Sequence, residues 1–161
     1  MRLPKMPNMS EKISLFAQLG GSAVLQPAVD DFVERLVCDP MIGFHFKDVD
    51  PDRLKLLEFQ FMARALGADI AYEGRPMRQA HASRTIFGGQ FARRQTLLKN
   101  TLLAHGLDAA IVAELLAHNE KLRPAVLNLP DQDCLTMTQS GPLVTHVPVE
   151  AGATTQNKSQ S

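Results

Sequence analysis

The chain has 161 residues, 45% of them apolar and 21% charged, which suits one domain with a sizeable core plus tails. Its 17 basic and 17 acidic residues cancel, which argues against a nucleic acid or an anionic membrane as partner. No apolar run is long enough to span a bilayer, the N-terminus lacks a signal-peptide core, and Cys38 and Cys134 match no zinc or redox spacing. The expectation is therefore a reduced, cytoplasmic protein without a disulfide. The five histidines form no His-x3-His pair, so a metal held by protein ligands alone is not expected.

Residues 1–9, with Pro4, Pro7, Arg2 and Lys5, read as a flexible basic leader. Ser10 can cap a first helix over Glu11–Gln18 that buries Ile13, Phe16 and Leu19, and Gly20-Gly21 ends it. A second helix is predicted over Ala23–Cys38, because Leu25, Val29, Phe32, Val33 and Leu36 recur at helical spacing. Pro27 is late for a first turn and should distort the start. Asp39-Pro40 closes the helix. In the turn that follows, Phe44 and Phe46 are expected to point inward and His45 outward.

Asp50 and Pro51 form a cap and first position for a third helix running to about Leu66. Gln60 and Arg64 mark its wet side, with Leu54, Glu58, Phe61, Met62 and Ala65 opposite. Glu58 is thus a carboxylate inside an apolar arc. It either swings back to Lys55 or stays as a buried acid that needs a partner. An irregular connection over 67–74 leads to a short helix with Pro76 at its first position and Met77, His81 and Arg84 along one face. Such a face could hold a metal and a charged group attached to it, although a lone helical histidine is more often structural.

Gly88-Gly89 should break that helix. A long helix over Gln90–Ala104 follows, burying Phe91, Leu97, Leu98, Leu102 and Leu103. Asp108 caps a last helix over Ala109–Lys121, making an antiparallel hairpin with the one before. Residues 128–161 turn polar and proline- and glycine-bearing, and read as a mostly disordered tail after a folded body over 10–127. With no strand pattern or repeat, the domain is predicted to be all-α.

The order of features resembles the group 1 truncated haemoglobins, the two-over-two globins. The residues that carry it are Gly20-Gly21, Val29-Asp30-Asp31-Phe32, Phe46 with Val49-Asp50, Leu66-Gly67, and Tyr72-x-Gly74-x-Pro76-Met77-x-Gln79-x-His81. The resemblance covers about Ile13 to Leu127 and implies a shortened globin fold, a two-over-two helical sandwich, holding one haem b per chain. It implies that His81 is the proximal iron ligand, that Phe46 packs on the porphyrin and that Met77 lies on the proximal surface. Leu54 and Phe61 then contact the haem, while Phe32, Val33, Glu58 and Met62 form the distal pocket. Arg53 and Arg84 match basic positions near the haem propionates, with Arg75 and Arg78 as further candidates.

Haem suits such a slot, being a flat apolar disc with carboxylates at one edge that needs an axial imidazole. The imidazole's Nδ1–H can donate to a carbonyl near Met77 and so set the tautomer. Two departures from the family matter. Val33 stands where a distal tyrosine is usual, and Glu58 where glutamine is common, so the distal polar set is expected to be one carboxyl group. A protonated Glu58 would then act as a pH-dependent donor to bound oxygen.

The resemblance further implies oxygen, nitric oxide or carbon monoxide as ligands, with oxygen binding or transport as the role. An enzymatic variant is nitric oxide dioxygenation served by a reductase, and a non-catalytic gas sensor acting through a partner is the alternative. A monomer or weak dimer is expected.

Overall fold

In the computed structural model the described residues are 13–128. The leader, the Ser10 cap and the tail beyond Asn128 lie outside them. Among the described residues there are six α-helices, one 3-10 turn and no strand. The helices are α1 (Leu15–Leu19), α2 (Ser22–Cys38), α3 (Pro51–Ala65), α4 (Met77–His81), α5 (Gly88–Ala104) and α6 (Ala109–Val126), and the 3-10 turn covers Gly43–Phe46.

α1 starts later than expected because Ser14 supplies the cap, its hydroxyl accepting from the Ala17 N–H. Gly20 then takes a left-handed conformation (φ 107°), and its N–H closes the helix end onto the Ala17 carbonyl. That turn lets α2 begin at Ser22. The amphipathic stripe of α2 is the centre of the core: Leu25, Ala28, Val29, Phe32, Val33 and Leu36 are all sealed from solvent. Pro27 sits within the helix on its exposed side, where the missing N–H removes one ladder bond without ending the helix.

α2 packs on α3 and α5, while α6 packs on α5 and touches α3, giving two helix pairs that face each other. The expected two-over-two sandwich is the architecture found. α3 begins as read, with Asp50 capping the Asp52 N–H and Pro51 in the first turn. Its far end is tied to α1 by the Phe16 N–H donating to the Leu66 carbonyl at 2.9 Å.

Five local readings need correction. Gly88-Gly89 does not break α4, which already ends at His81; the pair forms the first turn of α5. α6 continues past Lys121 to Val126, through Pro124, because Leu122 and Val126 are spent lining a cavity against α4. Phe44 points out, half exposed and tilted over the His45 ring, and Leu103 is likewise exposed. Gln60 is not on a wet side but is buried, for the reason given next.

Candidate functional site

Between Leu66 and Met77 the chain has no helix, yet it is held firmly to α3. Gln60 both accepts from the Glu73 N–H (3.0 Å) and donates to the Glu73 carboxylate (3.1 Å). Arg53 donates to the same carboxylate (2.9 Å) and to the Glu73 carbonyl (3.1 Å). The Arg53 and Gln60 donors together hold the Glu73 carboxyl below its ordinary range. This clamp delivers Tyr72, Arg75 and then α4 to one wall of a cavity of about 290 Å³. Gly74 is required here: a Cβ at that position would overlap the Tyr72 ring.

The cavity is mostly apolar. Phe46, Leu54, Phe61, Met77, Phe91 and Val126 contribute from five parts of the chain. Its key polar group is His81. The Met77 carbonyl can only accept, so the contact of 2.8 Å to Nδ1 means that Nδ1 carries the proton. Nε2 is left with its lone pair free, has no acceptor or donor partner among the described residues, and is not sealed from the cavity. Burial lowers the ring's pKa, which the Met77 bond partly opposes, so the imidazole is neutral at pH 7. The His81 backbone is secured as well, its carbonyl accepting from Asn128 Nδ2 at 2.8 Å.

The same lining carries a charged pair that decides between the two readings of Glu58: it stays in the cavity as an acid with a partner and does not swing back to Lys55. Lys55 pairs with Glu34 instead (2.9 Å). Glu58 is held by Arg94 of α5, whose Nη2 donates to both carboxylate oxygens at 2.8 and 2.7 Å. The guanidinium lies over the Phe32 ring, 5.2 Å from its centroid. Both Glu58 oxygens accept from Arg94, so the group serves here as an acceptor, not as the donor that its apolar arc suggested. The expected single distal carboxyl is thus replaced by a pair, with Tyr72 also on the cavity wall. Burial raises the Tyr72 phenol's pKa, and the Glu58 charge adds to it.

Of the residues singled out from sequence, Phe46, Leu54, Glu58, Phe61, Met77, His81, Arg75 and Arg84 line this one cavity. Phe32, Val33 and Met62 do not reach its wall; they are fully buried behind it, Phe32 as the platform for Arg94. Arg53 is engaged by Glu73 and, like Arg78, is not part of the lining. His45 does not point outward: it lines the cavity, with Nε2 3.3 Å from Gln90 Oε1, and its carbonyl accepts from Arg84.

Arg94 and Gln90 escaped the sequence reading. The signal was present for Arg94, since Phe91, Arg94 and Leu98 share one face of α5, placing a guanidinium within a buried stripe.

A neutral imidazole with a free Nε2, set in an apolar slot with arginines on its lining, meets the needs of a haem. Residues 14–128 match the family model described as Bacterial-like globin. A group 1 truncated haemoglobin from Chlamydomonas moewusii is 31% identical over 128 residues, covering 78% of this chain and 75% of that protein.

The chain belongs to the group 1 truncated haemoglobins.

The structure of the Tetrahymena pyriformis truncated haemoglobin in its Fe(III) form superposes with a TM-score of 0.67 at 25% identity. That match covers 71% of this chain and 98% of the other. A Synechococcus two-over-two haemoglobin, described as cyanomet with covalently attached haem, gives a TM-score of 0.66 at 26% identity over 72% and 99% of the two chains. Truncated haemoglobins are haem-binding globins.

Proposed function

We propose that this truncated haemoglobin holds one b-type haem through His81 Nε2 and reversibly binds oxygen or another diatomic gas. The observation that carries the reading is the locked tautomer: Nδ1–H donates to the Met77 carbonyl, leaving Nε2 as a neutral ligand aimed at no protein group. Haem, when bound, supplies the iron centre at which a diatomic ligand coordinates. The chain's part is to orient the imidazole, to enclose the disc with Phe46, Leu54, Phe61 and Met77, and to exclude bulk water. Arg75 and Arg84 line the cavity and are the cations nearest in role to propionate partners. No Cys-x-x-Cys-His signature is present, so acidic solvent should extract the haem.

The absence of a hydroxyl at Val33 favours reversible binding over nitric oxide dioxygenation, since the usual distal donor is missing. Haem titration of wild type and His81→Gly tests the main reading. Wild type should give a one-to-one complex with a five-coordinate or water-ligated spectrum, and His81→Gly should regain that proximal ligation only with added imidazole. An unchanged ferrous spectrum in His81→Gly without imidazole would refute it. Mixing the oxygenated protein with nitric oxide should give slow nitrate formation; rapid stoichiometric conversion favours the enzyme.

A further inference from the structure

The Glu58–Arg94 pair is the one ion pair among the described residues with both members on the cavity lining. Its side chains are only 14% and 21% exposed. The geometry of the guanidinium is one-sided. Both hydrogen bonds to Glu58 run through Nη2, so Nε and the two protons of Nη1 have no acceptor among the described residues. Neither nitrogen is sealed off, since no buried side-chain nitrogen or oxygen lacks a partner. Phe32, whose ring centroid lies 5.2 Å from the guanidinium carbon, offers no lone pair of its own to these spare donors.

We propose that Arg94 is a distal anion-binding residue, its free Nε and Nη1 donors holding a small anionic ligand of ferric iron, and that Glu58 is the positioning residue that fixes the guanidinium. The inference rests on the haem reading above. The pair is neutral as a whole, so it adds no net charge to the cavity, but its two ends are not equivalent. Both Glu58 oxygens are engaged by Nη2, whereas Arg94 keeps Nε and Nη1 unused, so the spare hydrogen-bonding capacity lies at the cationic end. A guanidinium is a donor only, always charged and weakly hydrated, and in a poorly solvated cavity it discriminates an anion from a neutral ligand of similar size. A neutral distal donor of the hydroxyl or amide type lacks that charge.

The test compares fluoride with imidazole as ligands of the ferric, haem-loaded full chain at one pH, by absorption titration. Fluoride accepts hydrogen bonds and carries charge; imidazole is neutral and binds iron without needing Arg94. Arg94→Leu should weaken fluoride roughly tenfold to hundredfold, the range of one charge-assisted hydrogen bond, while imidazole changes by less than about threefold. Arg94→Lys, which keeps the charge but not the fork, should fall between. Glu58→Gln keeps only one of the two acceptor oxygens that fix the guanidinium, so fluoride should weaken, by less than in Arg94→Leu and with imidazole unchanged. Full wild-type fluoride affinity in that variant would remove Glu58 as the positioning residue.

Arg94→Leu leaves a carboxylate unpaired, so Glu58→Leu/Arg94→Leu serves as the folding-safe comparison and should show the same fluoride loss. Equal changes in fluoride and imidazole, or an unaltered fluoride affinity in both arginine-free variants, would overturn the proposal while leaving haem binding intact. A wild-type chain that takes up no haem overturns both.

Discussion

Asp39 offers a stringent test of how the cavity's floor is built. It is the C-cap of α2 and is almost fully buried, its side chain 2% exposed. Oδ1 accepts from the Met41 N–H (2.9 Å) and the Ile42 N–H (3.2 Å), and Oδ2 accepts from Arg93 Nε (2.9 Å) and Nη2 (2.8 Å). The turn so fixed carries Ile42, His45 and Phe46 to the cavity.

Asp39→Asn keeps Oδ1 but turns an amide against the guanidinium. Because Arg93 is 41% exposed, the loss is set at the low end, ~1–2 kcal/mol. Asp39→Ala also strips the acceptor from the buried Ile42 N–H, raising the cost to ~2–4 kcal/mol. Arg93, with smaller help from the two backbone donors, holds the Asp39 carboxyl below its ordinary range against the opposing effect of burial. A folded-state pKa below the unfolded one means the contribution is complete above the unfolded value of about 3.9 and is lost as pH falls through the folded value. The gap between wild type and Asp39→Asn should therefore be constant from about pH 5 to 8 and close below about pH 4.

Urea unfolding of the haem-free protein measures this without linkage to haem binding. An Asn variant as stable as wild type at pH 7, or a gap that persists undiminished in acid, would refute the reasoning.

Two further outcomes follow from the approach to α4. Gly74→Ala forces a Cβ into the Tyr72 ring, so the ring must leave the cavity wall. With one tyrosine and no tryptophan in the chain, tyrosine emission reports on Tyr72 alone; it should rise in the haem-loaded variant as haem is lost faster, and matching emission and haem-loss rates count against it. Gln60→Leu removes both amide bonds to Glu73, so hydrogen exchange should accelerate at the Glu73 amide and neighbouring loop amides while those of α2 stay protected. Equal protection in the loop would mean that Arg53 alone holds it.

Much of the fold was legible from local chemistry. The stripe from Leu25 to Leu36, the Asp50 and Asp108 caps and the glycine-marked turn at Gly20 are each decided within a few residues, so periodicity and capping specify them. The His81 face was visible in the same way, and the family pattern singled it out as the candidate iron ligand. What tertiary structure decided was partner choice. Glu58 meets Arg94 across 36 positions, Gln60 is buried because Glu73 folds back on it, and His45 turns in toward Gln90. Helical spacing places a side chain on its own helix but carries no information about which charge the facing helix brings. For a carboxylate in an apolar arc, that missing neighbour determines whether it donates, accepts or leaves.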